Sequence, residues 1–459
     1  MPVHLSSSFI MGGTKMDLLK GQVKKVYFHY LWAAFGSAMI SSIYSIVDMA
    51  VVGQYQGPEG TAALAVVAPL WNIIYSLGLL TGIGGAVLLS AARGRGDYKK
   101  DNEFFSSALA LSILLAVVCW IGVVFFDRQL LTLFGASQRL LPLAQKYFLP
   151  VKFGVPLFLF NQMLAAFLRN DNAPTLATRA VLAGGIFNIA GDYLFVFTFD
   201  MGIMGAGLAT VIGAFITFCL MMTHFFSSQN TLRIVKPNDV FTQFKDIVVT
   251  GFSTFFIDIA MGILTMLFNR QIMKYLGSDS LAVYGVLVNI STIVQCCAYS
   301  VGQASQPLFS VNFAAKQYDR LSTLLKYTLY STAFFGLLWT IIIFVFPHQI
   351  MNIFMDATEQ IHLIAPSIMG YYGLSFLLLP LNIFSTYYFQ SLMKPQLSLF
   401  ISVLRGMILS GLLIYLLPTL FGSNALWFVM PITEFIVVLI VILFMIRIQK
   451  SLYLKKQDN

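Results

Sequence analysis

The sequence predicts an all-α membrane protein of twelve transmembrane helices in two pseudo-symmetric six-helix bundles, and three observations carry that prediction. The 459 residues are 58% hydrophobic and 10% charged, with a mean hydropathy of +0.80, whereas a soluble domain is about 25% charged. Uncharged runs such as 61–92, 105–126 and 327–355 are long enough for a helix, which needs roughly 20 residues to cross the hydrocarbon. Barrel strands would be about half that length and would alternate. A polar break at 228–243 divides the spans six and six, and the two halves carry related motifs.

Apolar runs place the spans at 27–53, 61–92, 104–127, 142–168, 176–198, 203–227, 244–275, 280–313, 323–346, 361–393, 396–417 and 424–447. Residues 1–25 are expected to be a cytoplasmic tail; they lack the apolar core and cleavage pattern of a signal peptide. The first lobe covers 26–227, the linker 228–243, the second lobe 244–449, and a cytoplasmic tail 450–459. The first span holds Asp48 near its far end. The second carries Pro69, Gly78, Gly82, Gly84 and Gly85, which permit bending and close helix contact. Gly82–Gly85 has no Lys-Ser/Thr ending and lies at membrane depth, so it is no phosphate loop. The fourth span runs through Tyr147 and Asn161, and Pro174 opens the fifth, which holds Asn188 and Asp192. The sixth contains Thr210. In the second lobe the seventh span carries Asp258 and Arg270, the eleventh Arg405 and the twelfth Glu434.

The halves look like repeats. Asn161 and Pro174 fall on Asn382 and Pro395 at a constant offset of 221 positions, and Leu64-Ala65-Val66 falls on Leu281-Ala282-Val283. Six spans per copy is even, so the copies share orientation, and the cleft between such lobes is the expected substrate site. Asp192 has no acidic counterpart; the offset lands on Leu413.

The net charge of +9 follows topology. Lys and Arg cluster before the first span and after the second, fourth, sixth, eighth, tenth and twelfth, while the loops at 54–60, 199–202, 347–360 and 418–423 hold none. Arg128 and Arg139 are the main exceptions. The positive-inside rule then puts both termini in the cytoplasm, and the bases argue for orientation and anionic-lipid contact rather than nucleic acid. Cys119, Cys219, Cys296 and Cys297 all fall inside spans, with no disulfide or metal spacing. With five His and no nucleophile elbow, the sequence argues against an enzyme, and no cofactor is expected.

The chemistry lies in the buried acids. An acid in a membrane helix is costly unless solvated, paired or protonated, and marks a functional site by default. Asn188 and Asp192 are four apart, hence on one face of a helix. Their oxygens, with those of Asp48, suit a proton or a hard cation such as Na⁺, and the residue pattern leaves the choice open. Asp258, Glu434, Arg270 and Arg405 are candidates for lining the substrate cavity; either acid could instead pair with one of the arginines.

Val47-Asp48-Met-Ala-Val-Val-Gly53, Asn188-Ile-Ala-Gly-Asp192-Tyr-Leu-Phe195 and Gly202-Ile-Met-Gly205-Ala-Gly-Leu-Ala-Thr210, together with the two repeats, resemble the multidrug and toxic compound extrusion family, DinF-like branch, over about 25–450. The resemblance implies two V-shaped six-helix bundles and cation-driven export of bulky organic cations. It implies a first-lobe site built from Asp48, Asn188, Asp192, Thr210 and Tyr147, with H⁺, or Na⁺ at the first four, as the coupling ion. Ala33 stands where the family has a proline, and Leu377–Pro380 offers no acid for a NorM-like second-lobe site. The expected setting is a bacterial inner membrane, with the protein acting as a monomer on small-molecule drugs. The alternative is a flippase for lipid-linked, anionic amphiphiles, a class of the same superfamily; its cleft should be lined with bases, of which Arg179, Arg270 and Arg405 are the deep ones.

Overall fold

In a bilayer, backbone N–H and C=O groups find partners only within a helix or a closed barrel, and the long apolar runs of this chain form helices. The computed structural model describes residues 8–11, 14–134, 136, 138–354 and 358–457; the outer parts of the two expected tails, 1–7 and 458–459, lie outside the described residues. In chain order the helices are α1 (Val23–Gln56), α2 (Pro58–Gly94), α3 (Tyr98–Leu133), α4 (Leu141–Asn170), α5 (Pro174–Tyr193), α6 (Ile203–Met222), α7 (Val240–Tyr275), α8 (Gly277–Ala314), α9 (Tyr318–Val345), α10 (Pro347–Phe354), α11 (Glu359–Gly373), α12 (Leu379–Ser391), α13 (Pro395–Val403), α14 (Ser410–Phe421) and α15 (Val429–Gln457). Among the described residues twelve helical stretches are long and apolar enough to cross a membrane, as the sequence predicts. The tenth joins α11 to α12 through a 3₁₀ turn, and the eleventh joins α13 to α14 through a π-helical turn at Leu404–Leu409.

Proline stands in the first turn of α2, α4, α5, α12 and α13, where its missing N–H costs nothing. The Asp97 side chain accepts from Lys100 N at 3.2 Å and caps α3. Two elements depart from the sequence reading. Residues Ser8–Met11 and Thr14–Asp17, inside the expected tail, pair as a short antiparallel hairpin, β1 and β2. The expected loop at 347–360 contains α10, which buries Ile350 and Met351; eight residues are too few for a span, so a search for long runs passes over it.

The chain forms two compact units, Met1–Phe255 and Phe256–Asn459, with the boundary inside α7. In the first unit, glycines set how closely α4, α5 and α6 pack. A Cβ on Gly184 would fall 2.4 Å from Gly213 O, and one on Gly207 would fall 2.2 Å from Tyr147 O. Any side chain at these positions would force the helices apart, and with them the polar groups they carry.

Candidate functional site

The close packing of α4, α5 and α6 brings Tyr147, Asn188, Asp192 and Thr210 together, and α1 adds Asp48. Tyr147 Oη donates to Asp48 Oδ2 at 3.2 Å, and Thr210 Oγ1 lies 3.4 Å from the same oxygen. Asn188 Nδ2 stands 3.2 Å from Thr210 Oγ1 and 3.5 Å from Asp192 Oδ1. Thr210 and Asn188 thereby link the two carboxyl groups, each step spanning 3.2–3.5 Å. All five side chains are buried, Asp192 completely, at 0% exposure. A π-helical turn, Leu194–Thr198, begins two residues beyond Asp192; such turns recur at functional sites.

Among the described residues, three oxygens of this cluster, Asp48 Oδ1, Asn188 Oδ1 and Asp192 Oδ2, are buried without a hydrogen-bond donor, and the partners of Asp48 and Asp192 include no Lys, Arg or His. A buried acceptor left unmatched costs on the order of 1–3 kcal/mol, more for a charged one. Three such acceptors within one cluster would be matched by a positive species. The donor set of two carboxyls, an amide and a hydroxyl suits a proton or a hard cation. It does not suit a metal held by several His or Cys, and among the described residues no group of three or more His, Cys, Asp or Glu is disposed to hold one.

The four cavity candidates fare differently. Glu434 and Arg405 are both buried and bind each other: Arg405 Nη2 and Nε lie 2.7 and 2.8 Å from Glu434 Oε1. Asn382 Nδ2 donates to Glu434 Oε2 at 2.6 Å. Asp258, half-buried on α7, accepts from Tyr299 Oη at 2.8 Å. Arg270 is exposed on α7 and is not joined to this network.

A second charged cluster in the first unit escapes a sequence reading. Arg93 bridges Asp101 at 2.7 Å and Asp171 at 2.8 Å, and His224 lies 2.7 Å from Asp171. Thr231, in the linker after α6, bonds Asp171 through both its backbone N–H and its hydroxyl. Burial would raise the Asp171 carboxyl, but the His224 hydrogen bond, the Arg93 charge and the Thr231 bonds outweigh it and leave the group below the usual carboxylate range. Farther along, Asn238 of the linker and Gln243 in the first turn of α7 donate to Glu103 of α3 at 2.9 and 3.0 Å.

The sequence pattern of the MatE family matches residues 33–194 and 252–416. A Multidrug export protein MepA of Staphylococcus aureus is 23% identical over 412 residues, 89% of each chain. A Multidrug export protein MepA of Staphylococcus saprophyticus is 24% identical over 345 residues, 73% of this chain and 75% of the relative. Among solved structures, an outward-facing multidrug resistance MATE family transporter of the MOP superfamily is similar at a TM-score of 0.88 and 20% identity, over 95% of this chain and 98% of that one. A MOP superfamily transporter from Pyrococcus furiosus, described as having a binding pocket of reverse polarity, is similar at 0.87 and 20% over the same shares. At these identities the structural likeness is one of fold.

Proposed function

This chain belongs to the MatE family of multi-pass membrane transporters, and on that premise we propose that it is a secondary active multidrug exporter, exchanging H⁺ or Na⁺ for amphiphilic organic cations. The observation that carries the coupling half of this reading is the buried Asp48–Asp192 pair, with three acceptor oxygens lacking donors and no base beside them. Two ionised carboxylates at this range in a low-dielectric setting repel strongly, and one small cation between them removes the repulsion. Loading and unloading therefore change the charge where α1, α4, α5 and α6 meet. An ion drives a conformational change only to the extent that it binds one conformation better, and a site assembled from four helices is one whose affinity depends on how they pack. Asn188 and Thr210 orient the carboxyls, and Tyr147 fixes Asp48.

The multidrug half rests on the MepA relatives, and the basic loops argue for cytoplasmic termini in a bacterial inner membrane. The coupling ion is cargo, so no resident cofactor is needed, and no catalytic chemistry is assigned. Flipping of anionic lipid-linked substrates fits less well, because the buried base Arg405 is neutralised by Glu434. Uptake of a fluorescent organic cation into proteoliposomes, under proton and sodium gradients imposed separately, tests the reading. Accumulation driven by one of the two gradients and lost in Asp192→Asn supports it. Full accumulation by Asp192→Asn removes the acid pair from the mechanism, and transport of an anionic lipid phosphate in place of the cation favours the flippase.

A further inference from the structure

Two of the described histidines are already committed: His224 to Asp171, and His29 to Thr175 Oγ1 at 3.2 Å. Among the described residues, His348 and His362 have each other as hydrogen-bonding neighbours. His348 lies in the first turn of α10 and His362 near the start of α11, 14 positions on. Their Nδ1 atoms are 3.4 Å apart, and their ring planes are tilted by 44°. His348 is exposed and His362 half-buried, so the pair is open to ions in solution.

The separation is informative. At 3.4 Å the two nitrogens are at the long end for a direct hydrogen bond. Two nitrogens each about 2.0–2.1 Å from one tetrahedral ion stand roughly 3.4 Å apart. Imidazole nitrogen is the preferred ligand of borderline divalent ions such as Zn²⁺, Ni²⁺ and Cu²⁺. The stretch 347–360 holds no Lys or Arg to repel an ion, and Glu359 stands one turn before His362 on α11, on the same helix face. The two rings come from separate helices, so an ion held by both would clip α10 to α11.

We propose that His348 and His362 form a two-histidine site for a divalent transition-metal ion, distinct from the acid pair of the first unit and bridging α10 to α11. Among the described residues no third His, Cys, Asp or Glu completes a cluster, so the two rings are the ligands the site rests on.

The test is calorimetric titration of Zn²⁺ into the purified full-length protein without a polyhistidine tag. One equivalent is expected to bind. His348→Gln and His362→Gln should each weaken it roughly tenfold or more, about 1.4 kcal/mol, and the double variant should bind more weakly still. Electron paramagnetic resonance of the Cu²⁺-loaded protein should report two ring nitrogens in the wild type and one in each variant. No binding by the wild type, or binding and spectra unchanged in either variant, overturns the site; both residues lie at the surface, so the variants are expected to fold.

Discussion

In the first unit, Asp48 and Asp192 meet only neutral donors, spaced at 3.2–3.5 Å, whereas in the second Glu434 is gripped by Arg405 at 2.7–2.8 Å and by Asn382 at 2.6 Å. Both arrangements bury carboxyl groups in apolar helices, yet they do different things. Glu434 carries its own counter-charge in Arg405, so its charge is already balanced. Asp48 and Asp192 lack one among the described residues, which is what makes them the candidates for holding a mobile ion. The repeat sharpens the contrast, because part of the framework is shared: Asn161 Nδ2 donates to Ala214 O at 2.9 Å, and its counterpart Asn382 donates to Glu434 O at the same distance. Beside that shared contact, Glu434 has an arginine and the Asp48–Asp192 pair has none among the described residues. The comparison teaches that a buried acid is a candidate for coupling when no base closes it, and a structural anchor when one does.

That division can be broken by substitution. The largest effect is expected from Asp192→Asn, which should abolish gradient-driven accumulation of an organic cation while the protein still inserts and folds, as followed by proteoliposome uptake and size-exclusion chromatography. Next in size, Glu434→Gln leaves Arg405 buried and uncompensated and should destabilise the second unit by about 3–5 kcal/mol, visible as a lowered melting temperature. Combining it with Arg405→Met removes both charges and should recover most of that loss without impairing transport. If the double variant folds normally but cannot transport, the second-unit pair does more than hold helices together. A smaller change, roughly tenfold in apparent ion affinity or about 1.5 kcal/mol, is expected for Asn188→Ala or Thr210→Val in ion-dependence curves of transport.

The smallest effect concerns Asp171, whose carboxyl is held low by His224, Arg93 and Thr231 against the cost of burial. A group whose folded value lies below its unfolded one, about 3.9 for Asp, contributes stability above that value and loses it as pH falls through the folded value. Melting temperature should therefore fall as the solution is acidified below about pH 4, and Asp171→Asn should make that fall shallower.

The membrane architecture was legible because the bilayer imposes long uncharged runs that few other pressures produce, and such runs survive without knowledge of any contact. The acid pair was legible for a related reason: Asp48 and Asp192 stand out against apolar sequence, and the four-residue spacing of Asn188 and Asp192 puts both on one helix face. Which groups meet across helices was not legible. Glu434 and Arg405 lie 29 positions apart and read equally well as separate lining residues of a cavity. Arg93, Asp101, Asp171 and His224 sit at helix ends, where charged residues are ordinary, so nothing local marks them as one cluster. Helix α10 was hidden by its length, and the π-helical turns at Leu194–Thr198 and Leu404–Leu409 by the absence of any proline or glycine signature peculiar to such turns.

The most direct test of the central claim is to count the protons or sodium ions that the purified protein gives up when a saturating organic cation is added in weakly buffered solution, using pH and sodium electrodes. If the unclosed acid pair carries the coupling ion, the wild type and the Arg405→Met, Glu434→Gln double variant release the same number and Asp192→Asn releases none. Equal release from Asp192→Asn and the wild type would place the exchanged ion elsewhere and contradict the account.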